Sequence, residues 1–121
     1  MKDSMSSSIL KRIEAAGRKV LPMYKFLAES DPATLDSFDG FLTHTLYRDD
    51  GLPETHKEML LACVCVAAGS SQPVVANHCR KALAAGLDKD DLVQALEITA
   101  AVVATRTLAT GINAVIEAED S

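Results

Sequence analysis

The C-terminal third of the chain places the strongest constraint on its fold. Asp88 precedes a first turn rich in acids, and the segment from Leu92 to Val103 is apolar on nearly every side of a helix. Aspartate at an N-cap accepts hydrogen bonds from free backbone N–H groups, and the helix dipole favours acids in the first turn. A helix that is apolar all round must be buried. The segment therefore predicts the longest helix of the chain, starting at about Lys89 and buried on all sides, with part of its surface covered by another subunit.

Five shorter helices are predicted ahead of it, and the sequence has no strand pattern and no internal repeat. Apolar residues recur at helical intervals, and proline, glycine and capping aspartate separate the segments. These helices are expected at residues 4–16, 22–29, 32–47, 53–69 and 73–86. Aromatic residues make up only 4% of the chain and tryptophan is absent, so the core must consist of aliphatic side chains, which favours close-packed helices. We expect one all-α domain over residues 1–121, in which residues 1–30 form an N-terminal helical extension.

Charge and hydropathy exclude several classes of partner. The formal net charge is −5, whereas a protein that binds nucleic acid or an anionic membrane surface needs a basic face. The run from Ile98 to Ala104 is followed closely by Arg106 and is much shorter than the roughly 20 residues that span a bilayer. The N-terminal segment "MKDSMSSSILKRIEAAGRKV" has no long apolar core of the kind found in export signals. The sequence therefore predicts a cytoplasmic protein with no membrane or nucleic-acid partner.

The number of cysteines predicts that all three are free thiols. Their number is odd and no export signal precedes them, which disfavours a disulfide framework. Cys63 and Cys65 lie two residues apart on a predicted helix and project to nearly opposite faces, so they do not form half of a metal site. His44 and His56 have no acid or cysteine at ligand spacing. We expect no metal and no cofactor.

Two segments resemble a known family. "LPETHKEMLLACVCVAAG" has a Leu, a Lys directly before a Glu, and an Ala-rich apolar run to Gly; "HCRKALAAGLDKDDLVQALEIT" has a His, an Ala-rich stretch to Gly, and an acidic helix start. Their order resembles the carboxymuconolactone decarboxylase superfamily, which includes the alkylhydroperoxidase D-like proteins. "LAESDPATLDSFDGFLTHTL" fits the preceding helix of that family loosely. The resemblance extends from about Asp31 to the C-terminus. It implies an alkylhydroperoxidase D-like helical bundle, assembled as a homo-oligomer such as a trimer or hexamer, that acts on a small-molecule substrate.

The resemblance also indicates which branch of the superfamily is closer. In the peroxidase branch a Cys-x-x-Cys pair precedes the histidine, but this chain has Ser71 and Val74 at those positions. Neither side chain can form the thiolate that attacks a peroxide. Glu58 and His78 match the acid and the histidine of the family. The pattern therefore favours the decarboxylase branch over the peroxidase branch.

Glu58 and His78 are the main candidates for chemistry. Imidazole titrates near neutral pH and can pass a proton in either direction, and a carboxylate can orient it. The resemblance thus implies that His78 is the general acid/base and that Glu58 orients it. The alternatives are a core or interface histidine with satisfied hydrogen bonds and a solvated acid in the first turns of a helix.

Two cysteines and two arginines are further candidates. Cys65 lies seven residues after Glu58, on much the same side of the helix, and would complete a displaced thiol relay; the alternative is an inert buried cysteine. Cys79 follows His78 but is rotated about 100° from it, and neighbouring cations favour its thiolate. Arg80 and Arg106 are candidates for holding a substrate carboxylate. Arg106 is explained equally well by an ion pair between subunits or by a surface position.

These residues predict a cofactor-independent lyase that acts on a small carboxylated lactone. Two alternatives remain. The first is antioxidant activity of the alkylhydroperoxidase or peroxiredoxin type, in which a lone cysteine reacts and an external thiol resolves it. The second is an oligomeric scaffold that has kept the fold and lost the chemistry.

Overall fold

In the computed structural model, which describes residues 2–121 and the side chains of residues 5–121, the chain forms six α-helices. They are α1 (Lys2–Ala15), α2 (Pro22–Ser30), α3 (Pro32–Thr45), α4 (Glu54–Ala67), α5 (Gln72–Ala84) and α6 (Lys89–Asp120). No strand occurs between residues 2 and 121. The prediction of an all-α fold with about six helices is confirmed.

The helix ends follow the chemistry of the capping residues. Asp31 caps α3 by accepting the backbone N–H of Thr34 at 3.2 Å, and Asp88 caps α6 by accepting the N–H of Asp90 at 2.8 Å. After α5 the chain turns through Gly86, whose φ of +105° is a left-handed conformation that other residues adopt only with strain. The predicted starts of α3 and α6 are therefore correct, and their local cause is visible.

The chain forms two compact units, one up to Gly51 and one from Leu52 to Ser121. In the first unit α1, α2 and α3 all pack against one another. Their shared core consists of Ile9, Ile13, Tyr24, Ala28 and Leu35. The hydroxyl of Ser6 donates a hydrogen bond to the carbonyl oxygen of Ala28, which links α1 to α2.

A buried carboxylate joins α1 to α3 in this unit. Asp39 is only 4% exposed, and it accepts a hydrogen bond from Nε of Arg12 at 3.0 Å and another from the guanidinium of Arg18. The Arg18 guanidinium also lies over the Tyr47 ring, 4.7 Å from its centroid. Burying a carboxylate is costly unless it is paired and hydrogen-bonded, and two arginines meet that requirement here.

The second unit consists of a helical hairpin and the long C-terminal helix. A short link joins α4 to α5, and within it the N–H of Ser70 donates to the carbonyl oxygen of Cys65 at 2.9 Å. Helix α4 packs extensively on α5 and also contacts α6. Ala62 of α4, Ala82 of α5 and Leu92 of α6 are buried in this unit. The two alanines have small side chains, which allows α4 and α5 to approach closely.

Helix α6 is the longest helix, with 32 residues, as predicted, but the prediction that it is buried on all sides is wrong for the single chain. Leu92 is its buried residue, whereas Val102 is 65% exposed and residues 101–121 are exposed throughout. By length and composition α6 is long and apolar enough to cross a membrane, a requirement that the short run from Ile98 to Ala104 does not meet. Periodicity reports apolar surface, but not what covers that surface.

The buried ion pairs of Asp39 predict an unequal effect of two similar substitutions. Asp39→Asn leaves Arg18 without its buried carboxylate, so we expect the free energy of unfolding of the first unit to fall by about 3 kcal/mol. Asp36→Asn is the matched control, because the Arg12–Asp36 pair is about half exposed, and it should cost less than about 1 kcal/mol. Both tyrosines lie in the first unit and the chain has no tryptophan. Urea unfolding followed by tyrosine fluorescence therefore reports on this unit, and equal losses in both variants would contradict the prediction.

Candidate functional site

Glu58 is one of two buried carboxylates among the side chains that the structure describes. It lies in the second turn of α4 and is 3% exposed. Ala62, four residues later, is fully buried on the same face of the helix. The i, i+4 spacing therefore directs Glu58 into the interior of the second unit.

His78 supplies the partner of this carboxylate. It lies in α5, four residues before the buried Ala82, so both residues share the inner face of that helix. Nδ1 of His78 lies 2.8 Å from Oε2 of Glu58. The hairpin thus brings together two side chains that are twenty residues apart in sequence.

The hydrogen bond assigns different roles to the two nitrogens of the imidazole. With Glu58 ionised its oxygens only accept hydrogen bonds, so the tautomer that makes this contact carries its proton on Nδ1. In the neutral ring Nε2 then has a free lone pair. The His78 side chain keeps 19% of its surface exposed, whereas the Glu58 side chain keeps 4%. The pair therefore consists of a buried carboxylate behind a partly accessible imidazole that can accept or donate a proton at Nε2.

The cysteines take no part in the hydrogen bond between Glu58 and His78. Cys63, Cys65 and Cys79 are free and partly buried. Between residues 5 and 121 the structure gives no hydrogen bond from a thiol to Glu58 or His78. The thiol relay through Cys65 and the reactivity of Cys79 stay predictions.

The two candidate arginines occupy different places. Arg80 is exposed on α5, two residues after His78, and Arg106 is exposed on α6. Neither forms an ion pair in the part of the chain that has described side chains. Arg106 lines an open groove of about 670 Å³ beside the end of α4. The other residues lining this groove are Ala67, Val102, Val103, Thr107, Thr110 and Gly111, so neither Glu58 nor His78 belongs to it.

Sequence reasoning did not identify the second buried carboxylate, Asp39, or the groove of about 660 Å³ beside it in the first unit. The arginines that pair with Asp39 lie 27 and 21 residues before it, and no local spacing marks them as partners. His44 lines that groove, and His56 is exposed at the start of α4. No group of three or more His, Cys, Asp or Glu side chains within the described residues could hold a metal ion.

Comparison with known proteins identifies the family. The model of the carboxymuconolactone decarboxylase family matches residues 32–117, a region that contains Glu58 and His78 and leaves α1 and α2 outside. No curated protein and no solved structure matches the chain. The family match covers well over half of the sequence and confirms the resemblance that the two motifs indicated. The chain therefore belongs to the carboxymuconolactone decarboxylase family.

Proposed function

We propose that this protein is a cofactor-independent lyase that decarboxylates a small carboxylated lactone. His78 is the proton donor and acceptor, and Glu58 is the residue that positions it. The buried hydrogen bond between Glu58 and His78 is the observation that carries the proposal. An imidazole held by a carboxylate is a group that can transfer a proton. Both residues lie within the region that the family model matches.

The proposed reaction needs one proton at carbon. The bond between the carboxylate carbon and the ring carbon breaks, carbon dioxide leaves, and the electron pair stays on the ring carbon as a carbanion or enolate. The protonated imidazole gives its Nε2 proton to that carbon and is protonated again from water. Atoms and charge balance without a metal or a redox partner.

Glu58 serves this step in two ways. By accepting the Nδ1 proton it fixes the tautomer and orientation of the ring, so that Nε2 is the reacting atom. Its 3% exposure also keeps water from competing for that hydrogen bond. A solvated acid in a first turn would do neither, and the burial of Glu58 supports the orienting role.

A substrate with a carboxylate needs a cation to hold it. Arg80 and Arg106 are both exposed and have no ion pair in the described region, so each has a free guanidinium. Such a group can bind a carboxylate through two parallel hydrogen bonds. Arg80 and Arg106 are the two alternative anchors for the substrate carboxylate.

The first test replaces the imidazole. His78→Gln keeps a polar side chain but removes the titrating group, so release of carbon dioxide from carboxymuconolactone should fall by at least about 100-fold. His56→Gln is the control, because that histidine is exposed on the neighbouring helix and should keep full activity. Equal turnover of the wild type and His78→Gln, or no turnover of any carboxylated lactone by a folded wild type, would contradict the proposal.

The second test separates orientation from simple structural support. Glu58→Gln keeps an oxygen that can accept the Nδ1 proton but removes the charge, and we expect turnover to fall by about 10- to 100-fold. Glu58→Ala removes the acceptor altogether. In that variant NMR of the imidazole nitrogens should show a mixture of tautomers in place of the single Nδ1–H form. An unchanged tautomer in folded Glu58→Ala would contradict the positioning role.

The third test identifies the anchor of the carboxylate. Arg80→Met and Arg106→Met each keep the length of the side chain and lose its charge. Loss of the anchor should raise KM by about 10-fold or more, since a charged hydrogen bond contributes about 1.5–3 kcal/mol. Glu58 and His78 are unchanged in both variants. Only one of the two variants should show this effect. If neither does, the anchor is a different group.

A further inference from the structure

The groove beside the end of α4 has the composition of a small-molecule site. Its volume of about 670 Å³ is typical of ligand pockets, which are mostly apolar and contain a few polar groups. Ala67 lines it from α4, and Val102, Val103 and Gly111 line it from α6. Among the described residues that line it, Arg106 alone is charged. The groove therefore combines an apolar surface with one cation.

Arg106 has no anionic partner in its own unit. It is exposed, and the nearest acids along α6, Glu97 and Glu117, are about 14 and 17 Å away along the helix axis, which is too far for an ion pair. Near the end of α4 the carbonyl oxygens of Val64 and Cys65 already accept backbone N–H groups of the link that follows, at 2.8 and 2.9 Å. The guanidinium is therefore available to an anion from outside the chain.

Gly111 leaves open space in the groove. A Cβ atom added at this position would meet no atom within 4 Å. Glycine inside a helix is less stable than alanine, and Gly111 lies well inside the 32-residue helix α6. Within the described residues no close contact requires a glycine here, whereas a group that approaches the backbone from outside the chain would require one.

We propose that this groove binds a free straight-chain fatty acid of medium length. The guanidinium of Arg106 holds the carboxylate through two parallel hydrogen bonds. One guanidinium balances one negative charge, and the net charge of −5 disfavours an anion with several charges. The alkyl chain lies against the valines and passes Gly111, where no side chain blocks it.

The walls of the groove fit an alkyl chain better than a polar one. The hydroxyl of Thr107 donates to the carbonyl oxygen of Val103 at 2.8 Å, so its proton is not available to a ligand. The residues from Val102 to Gly111 extend over about 14 Å of α6, which gives room for an extended chain. Burial of the chain against them removes apolar surface from water, and this burial favours binding.

This site is separate from the proposed lyase reaction. Neither Glu58 nor His78 lines the groove, and α5 contributes no residue to it. The fatty acid undergoes no chemical change there. With Arg106 in the groove, Arg80 is the other candidate for holding the carboxylate of the lactone. Failure of one proposal therefore leaves the other open to its own test.

Isothermal titration calorimetry of the full chain with decanoate, below the concentration at which decanoate forms micelles, tests the role of the charge. The wild type should bind decanoate, and it should bind decan-1-ol and acetate at least about 10-fold more weakly, because each lacks one half of the ligand. Arg106→Met keeps the length of the side chain and should weaken decanoate binding by about 10-fold or more. Lys81→Met is the matched control, because this exposed lysine on α5 does not line the groove.

A second pair of variants tests the place of the alkyl chain. Gly111→Leu fills the open space and should weaken decanoate binding by about 10-fold or more. Leucine is a better helix former than glycine, so this variant should fold, and circular dichroism checks that it does. Ala109→Leu adds a similar side chain to α6 outside the groove and should keep the wild-type affinity. His78→Gln should keep it too, which separates this site from the proposed catalytic pair.

Each other result overturns the proposal. Absence of decanoate binding by the folded wild type, or equal binding of decan-1-ol, shows that the groove does not recognise a fatty acid carboxylate. An unchanged affinity in Gly111→Leu shows that the chain lies elsewhere, and a loss of binding in His78→Gln places decanoate at the Glu58–His78 pair. Flotation with vesicles that contain decanoate, without binding of the free acid, indicates a bilayer surface as the partner.

Discussion

The second unit depends on a carboxylate that its own helices remove from water. Glu58 is 3% exposed, and an unpaired acid in that position would cost several kcal/mol. The hydrogen bond from His78 at 2.8 Å compensates part of that cost, and it exists only when α4 and α5 pack in one register. The same contact therefore fixes the hairpin and leaves Nε2 as the ring nitrogen that does not contact Glu58. Structure and proposed chemistry share one interaction.

The two buried carboxylates of this chain have different partners, and the partners determine what each can do. Asp39 pairs with two arginines, a side chain that serves proteins as a permanent cation, so this cluster holds α1 against α3. Glu58 pairs with an imidazole, the side chain that gains and loses a proton near neutral pH. Burial of an acid is thus not a functional signal by itself. The partner provides that signal.

Sequence patterns predicted the features that depend on neighbouring residues. Asp31 and Asp88 cap helices through contacts within three residues, and their effect could be read directly. Glu58 and His78 were identified through the family resemblance, because no spacing rule brings together residues on different helices. The partners of Asp39 were missed for the same reason. The burial of α6 on all sides is wrong for the single chain, and its predicted cover by another subunit stays a prediction, since an apolar face does not show what covers it.

That last difference determines how the molecule divides its surfaces. Leu92 is the buried residue that binds α6 to its own unit, while the large apolar residues further along the helix keep between 52% and 65% of their surface accessible: Ile98, Val102, Ile112 and Ile116. A helix that packs on α4 along one face and exposes a different apolar face can have that second face covered without rearrangement of the first contact. The accessible side of His78 is determined by α4 and α5, the two helices that carry the Glu58–His78 pair. A substitution among the exposed apolar residues of α6 can therefore leave the geometry of the Glu58–His78 hydrogen bond unchanged.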